Sequence, residues 1–364
     1  MSRGRQWALA GFTLLFMLTV PYYRGWFDLY VYYGTLDDWL WHGGHIYDYL
    51  LPGTPYGFTY PPFAALCMLP MALVPRPVAV GVAFALNTAA SAYILRRLVP
   101  GWPPVVVVCL FVMLEPVRDT FSFGQVNLLL LALVLTDLRP HRLSGVGIGL
   151  AAAVKLTPVL FIGSLLLARR WRAAATATGV AVAATAGAWL LAPGPSRRYW
   201  TGALWDTGRI GDAAYVSNQS LRGMVARLGD PDGGWLWPLL VLAVLAVWAY
   251  RSHRLDDQDG QDGQLTAFAL TGAAACLVSP VTWVHHLVWL LPALALARSV
   301  VAYLVLCSSV VWLWRYDSSG VTGFLGSNAY MWLTLWLLIS TRHVLRPVEW
   351  AHARRPHTHD AGLP

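Results

Sequence analysis

Long apolar runs alternate with short polar clusters along the chain, and this pattern predicts membrane-crossing helices. A helix needs about 20 mainly apolar residues to cross the hydrocarbon core of a bilayer. Several runs are shorter than about 17 residues, so tilted or half-length helices are expected among them. The runs lie at about 7–23, 77–95, 103–117, 126–138, 143–156, 157–168, 173–192, 235–250, 265–281, 286–297, 299–314 and 329–341. The sequence therefore predicts an all-α, polytopic integral membrane protein with about 12 transmembrane helices.

Arginine clusters between the apolar runs predict the orientation of these helices. Basic residues favour cytoplasmic loops, so we place the N-terminal Arg3 and Arg5 in the cytoplasm. The later arginine clusters then fall on the same side under two conditions. The Pro61–Pro75 run must enter the bilayer from outside without crossing it, and 143–168 must form two segments that turn near Lys155.

This topology predicts one transmembrane domain over residues 1–345 and a cytoplasmic tail over 346–364. Three long loops, 24–60, 193–234 and 315–328, then lie outside the cytoplasm. The protein is expected to be a multi-pass plasma-membrane protein whose active site faces the extracytoplasmic side.

Composition agrees with a membrane protein and excludes two other classes. Hydrophobic residues make up 57% of the chain and charged residues only 12%, against roughly 25% in soluble domains. The mean hydropathy is +0.52. The net charge of +8 comes from scattered arginines that orient helices, so it does not predict nucleic-acid binding. The four cysteines lie in apolar runs without paired spacing, which favours core residues over disulfides or a metal site.

Asp28 and Lys155 are the first candidates for chemistry. Asp28 follows the first apolar run among aromatic residues, where a partly desolvated carboxylate can accept a proton from a hydroxyl group. A solvated interfacial carboxylate is the alternative. Lys155 is the only lysine in the chain and lies within an apolar stretch. Ionisable residues in such places usually face a cavity or a partner, so Lys155 is a candidate phosphate ligand, with snorkelling to the interface as the alternative.

Further polar residues interrupt the apolar pattern and are candidates for contacts with a sugar or a phosphate. Amides suit sugar hydroxyls because they both donate and accept hydrogen bonds, and arginine suits phosphate. Each is also consistent with ordinary hydrogen bonding between helices. These candidates are Gln125, Asn127, Asn218, Gln219, Arg118 and Arg222, together with the adjacent pair His285 and His286. Two histidines without a third ligand predict a metal site only weakly, and no Walker loop, Rossmann glycine motif or HExxH motif is present in the sequence.

The order of these motifs resembles glycosyltransferase family 87, the polyprenyl-phosphate-mannose-dependent mannosyltransferases with the GT-C membrane fold. The matching stretches are Phe27–Tyr32, Gly44–Asp48, Phe58–Phe63, Phe123–Asn127, Val154–Pro158, Ser217–Arg222 and Ser279–His286. No single motif is decisive, but seven in one order over residues 27–290 are specific. The resemblance is weak after residue 300.

The resemblance implies an inverting transfer of mannose, forming an α-1,2 linkage, from a polyprenyl-phosphate donor to a lipid-anchored glycan such as a phosphatidylinositol mannoside. It places the general base on Asp28 and positive charge near the leaving phosphate, for which Lys155, His285, His286 and Arg118 are the candidates. Substrate contacts are expected from Tyr30, Tyr60, Gln125, Asn127, Asn218, Gln219 and Arg222. No obligatory metal is expected, because a monophosphate leaving group can be stabilised by cationic side chains alone; an acidic metal site near Asp37 and Asp38 is the alternative.

Two other functions fit parts of the pattern. An arabinofuranosyl- or other hexosyltransferase would share the fold, because the fold does not determine the sugar. A lipid or sugar transporter would place its polar site near the middle of the membrane, often on broken helices of inverted repeats. The polar residues here cluster toward one face, which favours a transferase.

Overall fold

Helices form the regular structure of this protein in a computed structural model that describes residues 1–20, 23–230, 232–255 and 260–341. The helices are α1 (Arg3–Thr19), α2 (Phe27–Trp41), α3 (Pro62–Met68), α4 (Arg76–Leu98), α5 (Pro104–Met113), α6 (Glu115–Phe123), α7 (Asn127–Thr136), α8 (Val146–Val154), α9 (Val159–Leu167), α10 (Trp171–Leu191), α11 (Pro193–Arg198), α12 (Leu221–Arg227), α13 (Leu236–His253), α14 (Gly260–Val278), α15 (Leu291–Ala297), α16 (Val300–Cys307), α17 (Gly320–Ser327) and α18 (Ala329–Ser340). Short 3₁₀ turns occupy Leu69–Leu73, Thr207–Ile210, Val284–Leu290 and Val310–Trp314, and a π turn occupies Tyr199–Ala203. The all-α prediction is confirmed for these residues, in which the β pairing is one isolated bridge between Leu50 and Gly57.

In the described residues, three helices are long and apolar enough to cross a membrane: α4, α10 and α13. A fourth span is possible if α6 and α7, which meet at 114°, are counted as one broken span. Five shorter apolar helices accompany them in the described ranges. The chain is therefore a membrane protein, and the count of about 12 spans stays a prediction. The arrangement of outer loops is likewise a prediction, and the tail at 346–364 lies outside the described residues.

The Pro61–Pro75 run forms α3 followed by the 3₁₀ turn Leu69–Leu73. These 12 residues extend about 20 Å, which is shorter than the hydrocarbon core of about 30 Å. The segment packs against α2 and α10. Its length therefore fits the expectation that it does not cross the bilayer.

The apolar stretch at 143–168 is divided at Lys155, as the sequence predicts. Helix α8 ends at Val154, Lys155 has extended backbone angles (φ −148°, ψ 136°), and α9 begins after Pro158. Proline supplies no N–H to continue a helix and disfavours helical angles in the residue before it. The Lys155 N–H still donates to the Ala151 carbonyl at 3.0 Å and closes the last turn of α8, while its side chain reaches Asn127 and His286.

The bend between α6 and α7 depends on Gly124, which ends α6 with φ +72°. A Cβ atom at this position would lie 2.6 Å from the Cβ of Leu29 in α2. Glycine therefore permits both the left-handed backbone and the close approach of α2. The bend places Gln125 beside Asp28 of the neighbouring helix α2, and Asn127 lies next to Gln125.

Candidate active site

One large cavity, of about 810 Å³, lies between α2, the α6–α7 bend, the break at Lys155 and the 3₁₀ turn Val284–Leu290. The segment 199–217 forms another part of its wall. Its lining includes Asp28, Lys155 and both histidines of the His285–His286 pair. The cavity thus collects side chains from positions up to 291 residues apart in the sequence, from Arg24 to Arg315.

Asp28 lies in the first turn of α2, outside the helices that are long enough to cross a membrane. Its Oδ2 accepts a hydrogen bond of 2.7 Å from Nε2 of Gln125. Burial raises the pKa of the Asp28 carboxyl to about 6, although the Gln125 hydrogen bond and the positive charge of Lys155 act in the opposite direction. At neutral pH the group is therefore still a carboxylate, and a stronger base than an exposed aspartate.

Lys155 projects into the same cavity. Its Nζ donates to Oδ1 of Asn127 at 2.9 Å and lies 2.9 Å from Nε2 of His286. The ammonium also sits 5.2 Å from the centre of the Tyr60 ring. These neighbours hold the head group inside the protein, so the structure places the side chain in a cavity and not at a lipid interface.

Two amides connect the carboxylate to the ammonium. Oε1 of Gln125 accepts hydrogen bonds from Tyr60 Oη at 2.9 Å and from Asn127 Nδ2 at 3.3 Å. A continuous chain of hydrogen bonds therefore runs from Asp28 through Gln125 and Asn127 to Lys155. Such a chain fixes the distance between a basic oxygen and a cationic nitrogen, which are the two groups that a displacement at a sugar phosphate requires.

The two adjacent histidines have different surroundings. The backbone N–H of Trp283 donates to Nδ1 of His286 at 3.2 Å, which orients that ring toward Lys155. His285 is 4% exposed, and its ring lies 5.2 Å from Phe123 and 4.6 Å from the His286 ring. Its Nε2 makes no hydrogen bond to protein in the described residues, although the residue lines the cavity.

Six of the predicted site residues lie outside the lining of this cavity: Tyr30, Arg118, Asn127, Asn218, Gln219 and Arg222. Tyr30 stacks under the guanidinium of Arg76, at 5.1 Å. Arg118 is 3% exposed and donates from Nη2 to the carbonyl of Cys307 and the hydroxyl of Ser309. Arg118 therefore links α6 to the end of α16 and to Ser309. It lies outside the lining of the cavity in which we expect the phosphate.

Asn218 and Gln219 are fully buried and bind the backbone. Gln219 donates to the carbonyls of Val216 and Ser327 and accepts from two N–H groups at the start of α18. Asn218 accepts from the N–H of Thr282 at 2.9 Å. Arg222 lies over the ring of Trp237 at 5.5 Å. These contacts assign the segment to the scaffold behind the cavity, where it supports the loop that carries the histidines.

Three arginines that the sequence did not single out also line the cavity: Arg24, Arg209 and Arg315. Arg24 and Arg315 each follow an apolar segment, so the sequence indicates that each lies at the end of such a segment. The sequence does not show that the two segments meet. Aromatic side chains from distant segments complete the wall, among them Tyr56 and Trp283.

Two further acidic residues near Asp28 in the sequence, Asp37 and Asp48, lie apart from the cavity lining. Asp37 lies 3.5 Å from Nε2 of His42, and Asp48 pairs with Arg198. In the part of the chain that the structure describes, no group of three or more His, Cys, Asp or Glu side chains is arranged to hold a metal. Asp28 is thus the loop carboxylate that reaches the cavity.

The sequence model of glycosyltransferase family 87 matches residues 58–280, which include most of the cavity wall. The chain belongs to glycosyltransferase family 87. Among family 87 proteins, it is 36% identical over 287 residues to a polyprenol-phosphate-mannose-dependent alpha-(1-2)-phosphatidylinositol pentamannoside mannosyltransferase of Mycolicibacterium smegmatis, covering 75% of this chain and 69% of the relative. It is 35% identical over 324 residues to a polyprenol-phosphate-mannose-dependent alpha-(1-2)-phosphatidylinositol mannoside mannosyltransferase of Mycobacterium tuberculosis, covering 79% and 74%. No solved structure matches the chain.

Proposed function

We propose that this family 87 protein transfers a mannosyl residue from a polyprenyl-phosphate donor to a lipid-anchored mannoside, forming an α-1,2 linkage with inversion. The observation that carries the proposal is the hydrogen-bonded chain from Asp28 to Lys155 along one cavity wall. The two mannosyltransferases described above, similar over about three quarters of this chain, support the choice of sugar, donor and acceptor class.

The cavity residues at the two ends of this hydrogen-bonded chain act on different parts of the reaction. At one end, Asp28 accepts the proton of the acceptor hydroxyl as its oxygen attacks C1 of mannose. At the other, the bond from C1 to the phosphate oxygen breaks, and Lys155 stabilises the charge that develops on polyprenyl phosphate. His286, whose Nε2 lies 2.9 Å from Lys155 Nζ, and His285, which also lines the cavity, are proposed to contact the same phosphate.

The reaction requires no divalent ion in this proposal. The leaving group is a single phosphate, and the cavity already supplies cationic side chains to it. We expect mannosyl transfer to continue in excess EDTA at a rate within twofold of the untreated enzyme. Loss of activity in EDTA that Mg²⁺ or Mn²⁺ restores would establish a metal requirement instead.

We place the protein in the plasma membrane with the cavity open to the extracytoplasmic side. This location follows from the arginine distribution, which puts α2 and the 193–234 loop outside. It also follows from the donor, since a lipid-linked sugar can be used where nucleotide sugars are absent. Labelling of single cysteines in the 193–234 loop by an impermeant maleimide in intact cells tests the orientation, and labelling only after permeabilisation would reverse it.

The decisive experiment supplies the purified protein in lipid with radiolabelled polyprenyl-phosphate mannose and a phosphatidylinositol mannoside. The expected product is the acceptor extended by one mannose, with an α-1,2 linkage by linkage analysis. Transfer from a polyprenyl-phosphate arabinose donor and not from the mannose donor would identify the other transferase class. Movement of the lipid across the membrane without any new glycosidic bond would identify a transporter.

A further inference from the structure

The cavity contains more positive charge than its proposed donor requires. Four cationic side chains line it, namely Arg24, Lys155, Arg209 and Arg315, against the single lining carboxylate of Asp28. A polyprenyl-phosphate sugar carries one phosphodiester charge, for which Lys155 is sufficient. The three arginines are therefore available to bind a second anion.

Arg24 is held rigidly at the cavity wall. Its backbone N–H donates to Oγ of Ser122, and the N–H of Trp26 donates to the Ser122 carbonyl at 2.9 Å. Its Nε donates to Oδ1 of Asp119 at 3.2 Å, and this carboxylate is 3% exposed. The terminal nitrogens of Arg24 make no hydrogen bond to protein in the described ranges. A guanidinium oriented through Nε with its outer nitrogens unused is suited to bind phosphate oxygens.

Trp312 contacts Arg24, and a second arginine, Arg315, lies three residues after Trp312, with its guanidinium 5.4 Å from the centre of the Tyr316 ring. The Arg24 guanidinium lies 4.9 Å from the centre of the Trp312 ring, and Trp312 Nε1 donates to the buried Glu115 carboxylate. Glu115 and Asp119 belong to the same helix, α6, so one rigid element orients both the arginine and the indole. Arg315 follows Trp312 by one turn, with its N–H directed to the Trp312 carbonyl, and its exposed side chain also lines the cavity.

Both arginines lie where a lipid phosphate is expected. Arg24 follows α1 and Arg315 follows the apolar segment that ends at Trp314, and the ends of apolar segments are where basic residues meet lipid headgroups. Arg24 is also four residues from Asp28 in the sequence, so the base and this cation lie on the same side of the cavity.

We infer that Arg24 and Arg315, arranged around Trp312, form a binding site for the phosphodiester of the acceptor lipid, separate from the donor-phosphate site at Lys155. This inference rests on the proposed function and deepens it. The site selects acceptors that carry a phosphate at the membrane surface. It holds such an acceptor so that its sugar chain extends into the cavity toward Asp28.

Initial rates with two acceptors test this site. One is a phosphatidylinositol mannoside and the other is octyl α-D-mannoside, which carries no phosphate. In Arg24→Gln and in Arg315→Gln we expect KM for the first acceptor to rise about tenfold, while KM for octyl mannoside and for the donor stays within twofold. Arg197→Gln, an exposed arginine outside the cavity lining, is the matched control and should change none of the three.

Three kinetic outcomes overturn the inference. Equal KM increases for both acceptors would indicate a general distortion. A rise in the donor KM would assign the arginines to the donor phosphate. An effect confined to vesicles that contain phosphatidylglycerol, and absent in neutral vesicles, would show that they bind bulk lipid. Because Arg24→Gln leaves Asp119 without its partner, Arg315→Gln, on an exposed side chain, carries the test if the first variant fails to fold.

A binding measurement separates this inference from the proposed reaction. Native mass spectrometry of the purified protein should show retention of phosphatidylinositol over diacylglycerol, reduced about tenfold in Arg315→Gln and unchanged in Arg197→Gln. This readout needs no transfer, so a protein that binds phosphatidylinositol through Arg315 but moves no mannose would refute the function and keep the site. Equal retention by wild type and Arg315→Gln would remove the site and leave the function standing.

Discussion

Two buried segments of this protein contain an Asn–Gln pair, and the structure uses them in opposite ways. Gln125 and Asn127 at the α6–α7 bend bind other side chains, ending at the Asp28 carboxylate and the Lys155 ammonium. Asn218 and Gln219 before α12 bind mainly backbone groups of the loops around them. Amides that connect ionisable side chains on a cavity wall fix reacting groups, whereas amides that satisfy backbone groups fix the chain.

Removing the base at one end of the Gln125–Asn127 chain should have the largest effect. Asp28→Asn keeps the shape of the side chain but cannot take a proton, so transfer should fall at least about 100-fold, within the usual range for a general base. Expression and donor binding should stay normal. The measurement is the initial rate of mannose transfer, with Asp37→Asn and Asp38→Asn as controls that lie outside the cavity lining. A wild-type rate in Asp28→Asn would move the base elsewhere.

Removing the cation at the other end should have the next largest effect. Lys155→Met deprives the leaving phosphate of its closest charge, and we expect a loss of about 100-fold or slightly less in kcat. Lys155→Arg should recover activity only in part, because a planar guanidinium does not replace a compact ammonium between Asn127 and His286. Near-normal turnover by Lys155→Met would show that this lysine has no part in the reaction.

The acid-side loss of activity should begin at a higher pH than for an ordinary aspartate. The pKa of Asp28 is raised to about 6 by burial, and only the deprotonated carboxylate acts as a base. The rate kcat/KM should therefore be near its plateau at pH 7 and fall about tenfold from that plateau by pH 5. The residual activity of Asp28→Asn should not follow this curve. An unchanged rate at pH 5 would contradict a base with this pKa.

The smallest effect compares the two amide pairs directly. Gln125→Ala should lower kcat about tenfold with little change in thermal stability, because it releases Asp28 at a cavity that water can enter. Gln219→Ala leaves buried backbone groups without partners at about 1–3 kcal/mol, so it should lower the unfolding temperature by several degrees. Its activity per folded molecule should stay within twofold of wild type. Reversed results would exchange the roles of the two segments.

The sequence predicted the ends of the hydrogen-bonded chain because each is chemically exceptional in its surroundings. Asp28 is an acid among aromatic residues, and Lys155 is a lone lysine in an apolar run with Pro158 just after it. The same reasoning did not separate Gln125 from Gln219, since both are polar residues at the edges of apolar segments. What distinguishes them is the partner across the fold, which depends on tertiary packing.

Hydropathy also predicted the class of the protein more accurately than it predicted the individual helices. Apolar composition requires a membrane, but the helices in the described residues are mostly interrupted by proline or glycine, as at Gly124 and before Val159. An apolar run therefore does not translate into one straight span. Arg24 and Arg315 were missed for a related reason: Arg24 contacts Trp312, the Arg315 guanidinium lies over Tyr316, and no sequence pattern indicates that the segment after α1 meets the segment after α16.

The hydrogen bond from Gln125 to Asp28 affects where the proton released in each reaction cycle can go. Gln125 is an amide, so it holds the carboxylate but cannot relay a proton onward. The donor enters as a phosphodiester and leaves as a phosphate monoester, whose second ionisation has a pKa of about 6. That value equals the pKa of about 6 at Asp28, so the departing polyprenyl phosphate is a suitable carrier for the same proton. Base and leaving group together can thus complete the acid–base cycle within one cavity, without a proton pathway through the bilayer.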